Sequence, residues 1–304
     1  MSSDGERLEI SAVCADYFAA LHGCDAERFR GMFHPRGVLL GLGPDGAVVR
    51  RDSAAFCAGV VARGASNEYA VHDRIVSIEF LGRACASAKV QIALPPAPES
   101  PTPTTTAVLY TDFLTLLRDD SIDGGAWRVI AKIYSSAPLD DADVRADGVT
   151  PADFSDVTRA VDGYCRSNRR CDGEGMARIF HPACCLTYAL PDHLGIVVCD
   201  ADEFCRVRVA GRWEQPAHRP YAHLRGDPRV AAADTLVSVD FAGPRACRVV
   251  LRIGCPPFLW TDVLLCLKLT APVYGRDGWW IVAKSSSSVP FLQGERGEEG
   301  PHRK

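Results

Sequence analysis

The chain is written twice. Phe33-His34-Pro35 returns as Phe180-His181-Pro182 at an offset of 147, and Tyr17 and Cys24-Asp25 return at the same offset as Tyr164 and Cys171-Asp172. Phe56-Cys57 corresponds to Phe204-Cys205, Val76-Ser77-Ile78-Glu79-Phe80 to Val237-Ser238-Val239-Asp240-Phe241, and Ala84-Cys85 to Ala246-Cys247. Thr111-Asp112 matches Thr261-Asp262, and the run Trp127 to Lys132 matches Trp279 to Lys284. The landmarks keep one order and the offsets drift only where loops differ. Such a repeat constrains the fold more than composition can, because whatever one half adopts the other adopts too. The reading is a tandem duplication, with domains at 8–138 and 154–290. Residues 139–153, holding Asp140, Asp141, Asp143, Asp147 and Asp153, read as an acidic linker, and 291–304 as a disordered tail with nothing apolar to bury.

Composition removes several classes. With 304 residues, 47% of them apolar, there is enough chain for two cores, and the net charge of −4 argues against a nucleic-acid-coating surface. No apolar run is long enough to span a membrane, and Met1 to Arg7 lacks the order of a signal peptide, so a cytoplasmic protein is expected. The 13 cysteines lie singly among apolar residues or as the adjacent pair Cys184-Cys185, with no CxxC pair, which fits reduced structural thiols. No Gly-rich phosphate loop, HExxH or GxSxG occurs, so neither a cofactor nor a metal is expected.

Each half reads as helices followed by strands. Ile10, Val13, Tyr17 and Leu21 recur at helical spacing, as do Phe154, Val157, Val161 and Tyr164. Gly23 ends the first helix, Asp25 caps a short second one, and Pro35 stops it. Strand segments flank Pro44-Asp45-Gly46 and Pro191-Asp192, and third helices start near Asp52-Ser53 and near Asp200, where Asp200 and Glu203 have capping-box spacing. Long strand-like runs close each half, in the first at 75–80, 84–94, 107–118 and 126–134, with the Pro-rich 95–103 an extended loop. Helices first and antiparallel strands afterwards is an α+β order.

That order, with Phe-His-Pro after the second helix, a Tyr/Trp-Thr-Asp strand and a closing Trp-x-Val/Ile-x-x-Lys strand, resembles the nuclear transport factor 2-like superfamily, and within it the branch labelled "putative lumazine-binding". The resemblance covers both halves. It implies two cone-shaped domains, each of three helices on a curved antiparallel sheet with a pocket between. It also implies sheet-to-sheet dimerisation, which a tandem copy can form within one chain. The expected faces carry Trp127, Val129, Ala131 and Ile133 against Trp279, Ile281 and Ala283, giving an intrachain pseudo-dimer and a monomeric chain. Fold alone does not select the activity.

Eight residues are candidates for a ligand pocket. His34 and His181 can act as proton shuttles at a cone mouth, or tie a corner by bonding backbone. Tyr17 and Tyr164 point inward from an apolar helix stripe, where a buried hydroxyl needs a partner. Asp112 shares a strand face with Leu114 and Leu116, and Asp262 with Leu264 and Cys266, so each is a general base or half of a buried ion pair. Lys132 and Lys284 hold one equivalent position in a chain with only five lysines among 34 basic residues. Strand register, which decides whether Asp112 meets Lys132, is not in the sequence. His218 and His223 fall in an insert at 214–229, read as a surface loop. These features suit a small-molecule binder for an apolar or heteroaromatic ligand. A proton-transfer enzyme and a protein-interaction module are the alternatives.

Overall fold

The computed structural model describes residues 3–96, 107–119, 122, 124–139, 148–189 and 195–291. Most of the acidic linker, most of the Pro-rich loop, the Pro191-Asp192 turn and the tail beyond Phe291 lie outside the described residues.

The first half runs α1 (Ser3–Gly23), α2 (Ala26–Met32), β1 (Phe33–Leu42), β2 (Val48–Asp52), α3 (Ser53–Arg63), β3 (Arg74–Phe80), β4 (Cys85–Leu94), β5 (Val108–Arg118) and β6 (Trp127–Pro138). The second runs α4 (Pro151–Arg170), α5 (Gly173–Ala177), β7 (Phe180–Ala189), β8 (Ile196–Asp200), α6 (Ala201–Glu203), α7 (Pro228–Ala232), β9 (Thr235–Gly243), β10 (Ala246–Cys255), β11 (Phe258–Val273) and β12 (Arg276–Pro290). Each half has one six-stranded sheet, in the orders β2-β1-β6-β5-β4-β3 and β8-β7-β12-β11-β10-β9. The fold class is α+β, two cones in tandem. The pairing is antiparallel except for β1 with β6 and β7 with β12, which run parallel.

Local chemistry sets the boundaries. Asp25 accepts from the amides of Glu27 and Arg28, and Asp52 from Ala55, so both serve as N-caps. Cys24 and Cys171, not Gly23, take the left-handed conformation after the first helix of each half, at φ +52° and +54°. The short second helix ends at Met32, and Phe33-His34-Pro35 already belongs to β1. In the second half the third helix is only three residues long before Phe204–Ala210 continues as a π-helix.

One extra residue in the closing strand of each half decides which side chains face where. Thr115 pairs with Ala131 and Leu116 with Val129, so Ile130 is bulged out; Leu265 pairs with Ala283 and Cys266 with Ile281, so Val282 is bulged out. A bulge reverses the alternation beyond it. Trp127, Val129, Trp279 and Ile281 therefore pack into their own cones, which corrects their expected place on the contact face. Ile130, Ala131, Ile133, Trp280, Val282 and Ala283 form that face instead, joined with Phe113, Leu117, Val250 and Leu265 in one cluster fed by both sheets. The same reversal turns Lys132 and Lys284 inward.

At the start of α4, buried Asp153 accepts from the backbone N–H and hydroxyl of Thr150, Lys268 Nζ at 2.6 Å and Trp279 Nε1 at 3.2 Å. Burial pushes its pKa up, but Lys268, Thr150 and Trp279 outweigh it and hold the carboxyl well below the usual range. A depressed carboxyl pKa stabilises the fold above the unfolded value and loses that contribution as pH falls through the native one. Asp153→Asn is thus expected to cost about 1.5–3 kcal/mol at neutral pH. The deficit should close as pH drops below about 4. Urea unfolding at the two pH values reads this directly, and a deficit independent of pH would contradict it.

Candidate functional site

Each cone holds the same buried triad. Tyr17 in α1 donates to Asp112 Oδ2 at 2.6 Å, and Lys132 Nζ lies 3.0 Å from Asp112 Oδ1. In the second half Tyr164 donates to Asp262 Oδ2 at 2.6 Å and Lys284 Nζ lies 3.0 Å from Asp262 Oδ1. All six residues are buried. The register accounts for the meeting: Lys132 opposes Leu114 and Lys284 opposes Leu264, each two residues along from the aspartate on the inner face of the neighbouring strand. Burial first, and then the adjacent aspartate, pushes both tyrosine pKa values far above the ordinary phenol range. Burial lowers the pKa of Lys132, and Asp112 opposes that shift.

In each aspartate Oδ2 accepts a hydrogen bond from the tyrosine, while Oδ1 is in ion-pair distance of the ammonium without a hydrogen bond of its own. The lysines still have N–H groups to offer, and both line cavities. The first cavity has a volume of about 490 Å³ and the second about 290 Å³. They share a lining in equivalent positions: Phe56 and Phe204, Ile92 and Ile253, Tyr110 and Trp260, with the triads below.

One exchange between the halves is compensated. In the first cone the Tyr134 ring lies against Gly41, where a Cβ would come within 2.6 Å of the ring. In the second cone the equivalent positions hold Ser286 and Tyr188, which pair across β12 and β7. The ring comes from the closing strand in one half and from its parallel neighbour in the other, yet a tyrosine lines each cavity. Lys132 Nζ sits 4.5 Å from the Tyr134 ring centroid, whereas Lys284 donates to Ser286 Oγ.

The arginines differ. Arg51 and Arg63 reach the first cavity from β2 and α3, and Arg63 donates to the Leu21 carbonyl at 2.6 Å. In the second, Arg208 comes from the π-helix and Arg212 from the turn after it. Arg212 donates to the Asn168 carbonyl at 2.9 Å and to its side-chain Oδ1. The sequence pattern missed these arginines, Tyr134, Tyr188 and Asn168. Asn168 lies one helical turn beyond Tyr164, where the first half has Leu21, so an aligned repeat would have flagged it.

The histidine expectations need correction. His34 and His181 line neither cavity. Each uses Nδ1 to accept the backbone N–H two residues on, from Arg36 and from Ala183, both at 3.0 Å. His34 Nε2 also faces Asp119 Oδ2 at 3.4 Å. The rings tie the irregular start of β1 and β7, and burial lowers both pKa values. His218, expected on a surface loop, is buried and lines the second cavity, its Nδ1–H donating to the Pro256 carbonyl at 2.6 Å. His223 is exposed, as a loop residue would be. Among the described residues no group of three His, Cys, Asp or Glu is placed to hold a metal ion.

A helical layer over a bent six-stranded sheet, with a cavity between them, occurs twice. Each half is an α+β cone of the same design. Residues 5–135 match the family model described as "Putative lumazine-binding". An NTF2-like protein of unknown function from Shewanella baltica is 20% identical, with 45% of this chain covering 98% of that one at a TM-score of 0.36. An NTF-2-like protein of unknown function from Silicibacter pomeroyi is also 20% identical, with 45% and 100% covered and a TM-score of 0.36. A ketosteroid isomerase-like protein from Erwinia carotovora atroseptica is 15% identical, with 42% and 95% covered and a TM-score of 0.34. No curated protein matches the chain. Among the described residues no helix is long and apolar enough to cross a membrane.

Proposed function

We propose that the chain is a small-molecule-binding protein that holds a flat heteroaromatic ligand in its cones. The observation that carries this reading is the cavity of about 490 Å³ whose walls are aromatic and whose floor presents the Lys132 ammonium. The compensated tyrosine supports it, since two diverged halves keep a ring at one place by different routes. The family description supports it too, because lumazine is a bicyclic heteroaromatic ring. A proton-transfer enzyme would need Asp112 free to act as a base, but Tyr17 bonds its Oδ2 and its Oδ1 faces the Lys132 ammonium at 3.0 Å, an ion pair that would first have to open. An interaction module would need an open sheet face, and the two sheets cover each other.

The test is a thermal-shift and native-mass screen of one- to three-ring heteroaromatics, lumazine included, against the native chain and Gly59→Leu. Gly59 lines the first cavity from α3, and a Cβ there meets nothing within 4 Å. Leucine should fill the cavity without strain, and removing a glycine from a helix interior adds about 0.5–1 kcal/mol. The expected result is a ligand that raises the native melting temperature and loses its first-cone binding in Gly59→Leu. A screen in which no compound binds either cone would end the reading.

A further inference from the structure

We infer that the second cone is a carboxylate-binding site, taking a planar aromatic monoanion whose carboxylate is held by Arg212 and Asn168. The inference rests on the small-molecule reading above and goes further, to the charge and shape of the ligand in one named cone.

The observation behind it is a buried guanidinium in no ion pair; Asp234, a carboxylate within its electrostatic reach, is paired with Arg169 at 3.1 Å. Arg212 is 4% exposed, and its hydrogen bonds go to neutral groups of Asn168. Among the described residues no carboxylate lies within ion-pair distance of it. The other cations of this cavity are balanced: Lys284 by Asp262 at 3.0 Å, and Arg208 by Glu203 at 3.7 Å. His218 adds no charge at neutral pH, since burial lowers its pKa and its Nδ1–H is committed to Pro256. One positive charge is therefore left over, and an isolated ion in such surroundings is costly unless something pairs with it.

A second observation locates the missing partner. Asn168 Nδ2 is buried without a hydrogen-bond partner, although Asn168 Oδ1 is used by Arg212. Arg212 Nε is likewise buried and unpaired. Neither atom presents accessible surface, so a carboxylate reaches this pair of donors only once the Asn168 and Arg212 side chains, which line the cavity, turn toward it. Tyr188 and Trp260, edge to face at 5.7 Å, offer aromatic faces for a ring system. The first cone keeps an arginine on the equivalent carbonyl, Arg63 on Leu21 at 2.6 Å, but Leu21 offers no side-chain amide where the second cone has Asn168, and its Arg51 is exposed. With one surplus charge and a cavity of about 290 Å³, a monoanion of one or two rings fits better than a phosphate dianion.

The test uses 2-naphthoate and its neutral counterpart 2-naphthamide, titrated calorimetrically into the full chain in the Gly59→Leu background, so that only the second cone is read. Naphthoate is expected to bind about tenfold or more tightly than naphthamide, the range set by a charge-assisted pair of hydrogen bonds. Asn168→Asp should weaken naphthoate at least about tenfold and naphthamide little, by placing like charges together. Asn168→Leu, which restores the first cone's residue, should erase the preference. It also gives a second reading should the aspartate variant unfold, which its melting temperature would report. Equal affinity for the two probes would overturn the inference and leave the binding reading intact. So would naphthoate binding that Gly59→Leu abolishes, or displacement of naphthoate by inorganic phosphate at similar concentration. Failure of every ring compound in the native chain would instead remove the reading beneath it.

Discussion

Replacing Asp112 by alanine should cost the first domain about 3–5 kcal/mol at neutral pH, the usual penalty for leaving one partner of a buried ion pair alone. Lys132 is 4% exposed and can meet water only in the cavity that it lines, and the Tyr17 hydroxyl would lose its acceptor in the same step. The pH dependence gives a sharper signature. Burial lowers the Lys132 pKa while Asp112 holds it up, so the variant should drop further below lysine's ordinary value. Between the lowered native value and the unfolded value of about 10.4, the unfolded chain binds the proton that the native state has lost. Stability of the variant then rises with pH across that window, and its deficit against the native chain narrows. Urea unfolding at pH 7 and about pH 9.5 separates this from a packing defect, whose cost would not change with pH. The double substitution Asp112→Leu with Lys132→Met should recover most of the loss, because an apolar pair of similar volume needs no desolvated charge. A single-variant cost under about 1 kcal/mol would mean that the carboxylate is not the buried counter-ion described.

Much of this site could be read from the sequence because the chain states it twice. Repeat alignment picked out Tyr17 with Tyr164, Asp112 with Asp262 and Lys132 with Lys284, and alternation placed Asp112 on the face of Leu114 and Leu116. Register could not be read, because a single bulged residue, Ile130 or Val282, reverses the inward and outward sides and leaves no compositional mark. That one feature sent Trp127 and Val129 to the wrong face in the sequence reading. The histidines misled for a different reason. A His-Pro pair carried through a duplication looks chemical, yet Nδ1 accepting an amide two residues later is a local corner bond that needs no ligand. His218 was out of reach because it belongs to an insert with no counterpart, and Arg212 because it stands just before that insert; only the three-dimensional path of the chain there carries them into the cavity.

The second large effect concerns how the halves are held together. Each half contributes an acid from its third strand and a base from its fourth to the contact between sheets. Arg248 donates to Glu79 at 2.6 Å and to Ser87 at 3.0 Å, while Lys89 donates to Asp240 at 2.7 Å and to the Phe241 carbonyl at 3.0 Å. Both cations lie over the Phe113 ring, at 5.3 and 5.4 Å. Arg248 is 1% exposed, so Arg248→Glu places a carboxylate against Glu79 and Asp240 with no access to water. Glu79 is partly exposed and can rehydrate, which weakens the repulsion but does not remove it. The expected cost is about 3–5 kcal/mol, with the sheets rather than the cones giving way first. Tethered halves pair at a high effective concentration, so the native chain should scatter light as a monomer of 32.9 kDa at micromolar concentration. In Arg248→Glu the apolar faces around Trp280, Val282 and Phe113 become exposed, and such faces associate between chains. The variant should therefore shift towards twice the native mass as concentration rises, while ligand binding inside the cones persists. A native chain already at twice its own mass would overturn the intrachain pairing as the sole assembly. A variant that stays monomeric and equally stable would show that the four charges do not hold the sheets together.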